Sequence, residues 1–242
     1  MDTPKKTITG LISAWLVHLL TASGAIFGVL ALQAIAQQQF KAALGWMMIT
    51  AAIDAVDGAL ARWRHVKCFI PHFDGALLDN MVDYFNYVLV PAFFLLNASI
   101  VPDPWRLILS SIMILSSAYQ FCRDDAKTAD HTFTGFPSYW NVVLFYVFLL
   151  ECPPWLTITV LLVCAVGVFV RIRYLYPSRT PFLRPLNLIL GLVWAGLVIT
   201  AWLYYPERHR FLLLLSFFYL IYYCVISLWL TLRKQTALGD AS

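Results

Sequence analysis

Residues 41–97 read KAALGWMMITAAIDAVDGALARWRHVKCFIPHFDGALLDNMVDYFNYVLVPAFFLLN. Two apolar runs, 41–62 and 75–97, flank a short polar stretch. Each has roughly the 20 residues a helix needs to cross the hydrocarbon core of a bilayer. So short a connection makes the two helices antiparallel neighbours. Six further runs of the same kind lie at 11–35, 104–121, 137–150, 155–170, 186–205 and 210–230. The pattern predicts an all-α polytopic integral membrane protein of about eight transmembrane helices. It forms a single domain over 1–242, with the two shortest helices joined at Pro153-Pro154.

Hydrophobic residues make up 61% of the chain and charged residues 12%, against about 45–50% and about 25% in soluble domains. Mean hydropathy is +0.73. Lipid is therefore the main solvent, and the runs leave no room for a soluble module. The first run follows Lys5 and Lys6 but continues far past the apolar core of a signal peptide, so it is expected to remain as a span. With the N-terminus in the cytoplasm, the inner loops collect most of the Lys and Arg, including Arg62, Arg64, Lys67, Arg171 and Arg173. The outer loops carry Lys41, Arg106, Arg208 and Arg210. This asymmetry places both termini inside. The net charge of +4 then reflects topology and attraction to the lipid surface, and no nucleic-acid partner is expected. Cys68, Cys122, Cys152, Cys164 and Cys224 are odd in number and lack metal-site spacing, so they imply no disulfide framework.

An aspartate at the centre of a membrane helix costs about 2.5–3.5 kcal/mol on insertion scales, so intramembrane acids point to function. Asp54 and Asp57 are spaced i, i+3 with Ala61 a further turn on; Gly75, Asp79 and Asp83 are spaced i, i+4, i+8. Each set shares one helical face, and antiparallel packing brings the two faces to one depth. Four carboxylates so close repel one another. Hard divalent cations such as Mg²⁺ or Mn²⁺ resolve the repulsion, and Gly58 and Gly75 leave space for a nucleotide or substrate backbone. The alternative, interface acids paired with Arg62, Arg64 and Lys67, does not explain shared faces with small residues between the acids. A metal-dependent phosphoryl site does, with one carboxylate taking the proton of an attacking hydroxyl.

Asp54-x-x-Asp57-Gly58-x-x-Ala61-Arg62 followed by Gly75-x-x-x-Asp79-x-x-x-Asp83 resembles the signature of the CDP-alcohol phosphatidyltransferases. Between Arg62 and Gly75 lies a longer linker than most of that family carries. Together with Gly135-Phe136-Pro137-Ser138-Tyr139-Trp140-Asn141, it resembles the bacterial phosphatidylcholine synthase branch. The resemblance implies that Asp54, Asp57 and Asp79 ligate a pair of Mn²⁺ or Mg²⁺ ions, with Asp83 close to the ions, counted among the metal residues, and acting as general base. Gly58, Ala61, Arg62 and Gly75 would line the CDP site, together with Asp54. It further implies CDP-diacylglycerol as donor, choline as acceptor and CMP as leaving group. The expected setting is a homodimer in the bacterial inner membrane, multi-pass, with the active site facing the cytoplasm. The family's first helix often reads Asn-x-x-Thr-x-x-Gly. Here Thr21 and Gly24 match while His18 departs. Thr21 either reaches the nucleotide or bonds its own backbone.

Choline presents a quaternary ammonium without hydrogen-bond donors, so its recognition needs aromatic faces. Tyr84, Tyr87, Tyr119, Tyr139 and Trp140 fall near cytoplasmic helix ends, and Tyr139 with Trp140 is the preferred pair, because Pro137-Ser138 starts a helix beside the entrance. Arg171, Arg173 and Arg179 either bind phosphate or serve as positive-inside anchors. Asp124, Asp125, Asp130 and His131 read as a solvated turn. Three other readings remain: the same transfer to serine, glycerol 3-phosphate or inositol; an intramembrane prenyltransferase, whose acids would lie on helices far apart in sequence rather than within thirty residues; and a transporter with an acidic cation site. Against the transporter, the acids sit at one end of their helices and no inverted-repeat halves are evident.

Overall fold

A computed structural model describes residues 7–126, 128, 132–177, 179–207 and 209–239. The chain divides after Ala98 into two compact units.

In the first unit, α1 (Ile8–Ala36) and α2 (Phe40–Trp63) form a long helical hairpin. The Thr7 hydroxyl caps α1 by accepting from the Gly10 N–H at 3.1 Å. Small buried residues, Ala14, Ala31, Ala34 and Ala43, let the paired helices approach closely. The polar linker after α2 is ordered: α3 (Val66–Phe69) forms within it. Val66 and Ile70 there pack with Ala14 and Val17 of α1, and Phe69 joins them. Gly10 is required at this contact, because a β-carbon on it would fall 2.3 Å from the Phe69 ring.

The run expected as one helix over 75–97 is continuous but not uniform. It comprises α4 (Gly75–Tyr84), a π-helical turn (Phe85–Leu89) and α5 (Val90–Asn97). Pro91 has no N–H to give to the carbonyl four residues back, so the regular ladder fails there, and the wider turn immediately precedes it. Asp74 caps α4, its Oδ1 accepting from the N–H groups of Ala76 and Leu77 at 3.1 and 3.0 Å.

The second unit holds α6 (Trp105–Cys122), α7 (Trp140–Leu149), α8 (Pro154–Phe169), α9 (Arg184–Leu203) and α10 (His209–Gly239). The all-helical expectation needs one addition. Strands β1 (Thr132–Thr134) and β2 (Arg173–Leu175) pair antiparallel in segments that read as loops, with Phe133 opposite Tyr174. The N–H groups of Arg173 and Leu175 donate to the hydroxyls of Thr231 and Ser227, which fastens this small sheet to α10.

The protein is thus a helical integral membrane protein. Among the described residues, four helices are long and apolar enough to cross a bilayer: α1, α2, α9 and the Arg210–Arg233 part of α10. Helices α7 and α8 are apolar but shorter. Large apolar side chains stand exposed along the long helices, such as Leu19 and Ile26 on α1 and Phe211 and Phe218 on α10. In a bilayer these face lipid rather than water.

Candidate active site

The site is assembled by the first unit. Asp54 and Asp57 come from the inner face of α2, and Asp79 from the second turn of α4. One carboxylate oxygen from each lies within 4.8 Å of those from the other two. Asp57 is 4% exposed, and Asp54 and Asp79 are half-buried. Three anionic groups at this separation and burial repel strongly unless a cation or proton lies between them. All-oxygen donors of this kind suit Mg²⁺ or Mn²⁺. The donor set therefore fits the cation that the spacing predicts.

Two neutral hydroxyls hold the α2 carboxylates. Thr21 of α1 donates to Asp57 Oδ2 at 2.8 Å, a partner on α2 that the sequence did not indicate, and its own helix carbonyl at Val17 lies 3.4 Å away. Tyr87, in the π-turn, donates to Asp54 Oδ2 at 2.7 Å. Tyr87 is only 8% exposed, so it serves this carboxylate rather than an open aromatic surface. Its neighbour Asn86 donates from Nδ2 to the Gly24 carbonyl at 3.1 Å. Asp83 sits one turn beyond Asp79 on the same helix, half-buried, and is not one of the three grouped acids.

The glycines play different parts. A β-carbon on Gly75 would meet His18 Cε1 at 2.5 Å, so this glycine makes room for an imidazole of α1. The expectation that it leaves room for a nucleotide has to share the position with that contact. At Gly58 a β-carbon would meet only the end of the Arg62 side chain, at 3.4 Å, which leaves that face open to a ligand. Ala61 lies against the α1–α3 hydrophobic cluster, while Arg62 is exposed. His18 is buried between Phe73 and Trp15, with ring centroids at 4.5 and 5.9 Å, and its Nε2 has no hydrogen-bond partner among the described residues.

The aromatic acceptor candidates are dispersed. Tyr84 ends α4, half-buried. Tyr119, Tyr139 and Trp140 belong to the second unit. Tyr119 is exposed, with its ring against Phe169 and the Arg123 guanidinium 5.4 Å from its centroid. Tyr139 is half-buried beside Phe133. Trp140 is fully buried: its indole N–H donates to the Ser117 hydroxyl at 2.7 Å, and its ring packs edge-on to Phe136. The preferred pair therefore separates into one accessible tyrosine and one core tryptophan.

In the turn after α6, Arg123 forms a two-pronged ion pair with Asp125, both contacts 2.8 Å. That bond holds the Asp125 carboxyl below its ordinary range. This agrees with a solvated turn; Asp130 and His131 lie outside the described residues. Arg171 is exposed, and Arg179 lies over the Tyr176 ring at 5.6 Å.

The acidic triad, carried by α2 and α4 of a helical membrane protein, defines a candidate divalent-cation site. A scan against protein-family models finds no match. Curated relatives are close, however. The chain is 41% identical over 235 residues to a phosphatidylcholine synthase of Legionella pneumophila, covering 94% of this chain and 92% of that protein. It is 37% identical to one of Pseudomonas aeruginosa, covering 91% and 93%, and 40% identical to one of Legionella bozemanae, covering 86% and 99%. The chain belongs to the phosphatidylcholine synthase family.

Proposed function

We propose that this protein transfers the phosphatidyl group of CDP-diacylglycerol to choline, releasing CMP, in a reaction dependent on divalent metal. The observation that carries the reading is the convergence of Asp54 and Asp57 on α2 with Asp79 on α4, their ligand oxygens within 4.8 Å of one another. The names of the relatives support the choice of acceptor.

Asp54, Asp57 and Asp79 would hold a pair of Mn²⁺ or Mg²⁺ ions, which when bound neutralise the diphosphate and stabilise charge on departing CMP. Asp83, a turn away, takes the proton from the choline hydroxyl. The hydroxyl oxygen forms a bond to the β-phosphorus as the bond between that phosphorus and the CMP oxygen breaks. Asp54, Gly58 and Arg62 contact the CDP portion, with the exposed guanidinium suited to phosphate. Thr21 acts on this site through Asp57, Gly75 by admitting His18 and Ala61 through its packing. Tyr139 is the favoured aromatic contact for the quaternary ammonium, with Tyr84 and Tyr119 as further candidates.

The reading treats residues 1–242 as one transferase domain in a bacterial inner membrane. In it about eight helical segments cross the bilayer with both termini and the active site on the cytoplasmic side, and two copies form a homodimer. Such a boundary position suits one lipid substrate and two soluble partners.

Purified protein given CDP-diacylglycerol, labelled choline and Mn²⁺ should form phosphatidylcholine and CMP in equal amounts, and chelation should stop both. Serine, inositol and glycerol 3-phosphate serve as competitors. Preference for one of these would replace choline as acceptor but keep the transfer chemistry; absence of CMP release with any of them would defeat the proposal.

A further inference from the structure

We propose that two neutral hydroxyl donors, Tyr87 on Asp54 and Thr21 on Asp57, are positioning residues for the metal site, and that the π-turn Phe85–Leu89 ties them together. The inference rests on reading the aspartate triad as a divalent-cation site.

Three consecutive residues of the turn, Asn86, Tyr87 and Val88, are buried, at 4%, 8% and 0% exposure. Asn86 and Tyr87 are adjacent in the π-turn, are both buried, and engage different helices. Tyr87 reaches α2 at Asp54, and Asn86 reaches α1 at the Gly24 carbonyl. One turn back along α1 from Gly24, Thr21 reaches α2 at Asp57. The two carboxylates are thus held by donors from two different elements, and the Asn86–Gly24 bond fixes one donor element against the other.

Close approach makes this possible. On Gly28 a β-carbon would fall 2.2 Å from Asn86 Oδ1 and 2.5 Å from the Phe85 ring, and on Gly24 it would fall 3.0 Å from Val82. Side chains at either position would push the π-turn away from α1 and withdraw Tyr87 from Asp54.

The donor chemistry matches the task. A lysine or arginine could also orient these carboxylates, but its charge would compete with the metal. A phenol or hydroxyl restricts the carboxylate rotamer through a charge-assisted bond while leaving the site's negative charge intact. Outer partners of this kind commonly change metal affinity about 10–100-fold when removed.

The test is direct Mn²⁺ binding to the purified full-length protein in detergent, without substrate, read from the electron paramagnetic resonance signal of free Mn²⁺. The wild type should bind and Asp79→Asn should not. Tyr87→Phe should bind about tenfold or more weakly while keeping the wild-type unfolding temperature. Its turnover should recover at high Mn²⁺, with the choline KM unchanged. A merely structural role would instead lower the unfolding temperature and leave Mn²⁺ affinity alone. Wild-type affinity in Tyr87→Phe overturns the inference; a wild type that binds no Mn²⁺ overturns the metal reading itself. If Tyr87→Phe does not fold, Thr21→Val and Thr21→Ser decide. Only serine keeps a hydroxyl, so only Thr21→Ser should retain affinity, and equal affinities in the two would sink the proposal.

Discussion

The imidazole of His18 occupies the space that a side chain on Gly75 would need, 2.5 Å from where its β-carbon would stand. Phe73 and Trp15 pack against the ring and oppose its swinging away. Gly75 begins α4, and Asp79 lies one turn further along the same face. Relief of the clash that does not come from the ring moves α4, and Asp79 with it. Gly75→Ala should destabilise the protein by about 1–3 kcal/mol, the range for overpacking, and reduce turnover. Thermal unfolding in detergent and the CMP-release assay measure the two effects. Adding His18→Ala removes the obstructing ring, so the double variant should be more stable than Gly75→Ala alone; no such recovery would assign the defect to another contact.

Gly58 makes the opposite case. A β-carbon there meets only the Arg62 side-chain end at 3.4 Å, a contact that a flexible side chain can yield. Gly58→Ala also gains helix propensity by about 1 kcal/mol. The variant should be at least as stable as the wild type and yet show a raised KM for CDP-diacylglycerol, because the methyl group stands where the nucleotide approaches. Unchanged KM would remove Gly58 from the binding surface.

Those two glycines show what spacing along a chain can reveal. Helix α2 was legible almost to the residue, 41–62 against Phe40–Trp63, because a long apolar run ends abruptly at Arg62. The acidic triad was legible too, since i, i+3 and i, i+4 intervals fix a shared face whatever surrounds it. His18 against Gly75 was not, because nothing local links two residues on helices distant in sequence. The π-turn changes geometry without changing composition, so a uniformly apolar run hides it, although Pro91 was a usable signal that the ladder breaks nearby. Strands β1 and β2 have three residues each, too few for an alternating period to show. Trp140 was misleading for a related reason. Its position beside Tyr139 says where its helix begins and nothing about which way the ring turns.

That ring direction separates the two neighbours experimentally. Trp140 is fully buried with its N–H on Ser117, itself fully buried. Trp140→Ala should destabilise by about 3–5 kcal/mol, and Trp140→Phe by about 1–3 kcal/mol, because it leaves the Ser117 hydroxyl without this partner. Tyr139 is half-buried beside Phe133, so Tyr139→Ala should lower the unfolding temperature less than Trp140→Ala while raising the choline KM. A choline KM that is unchanged in Tyr139→Ala would direct attention to Tyr84 and Tyr119.

Asp83 can be separated from the three acids that precede it. Asp54, Asp57 and Asp79 form the close group, and Asp83 is a turn beyond, so its loss should leave a cation site with three carboxylates. Asparagine matches aspartate in shape but cannot accept the choline proton. Asp83→Asn should therefore keep Mn²⁺ affinity near wild type while turnover falls about 10²–10⁴-fold, the usual contribution of a general base. Asp79→Asn should lose Mn²⁺ binding and turnover together. The contrast between the two variants is what identifies the base, because loss of activity alone is common to both. Loss of Mn²⁺ binding in Asp83→Asn would make it a fourth ligand, and wild-type turnover would mean that another group takes the proton.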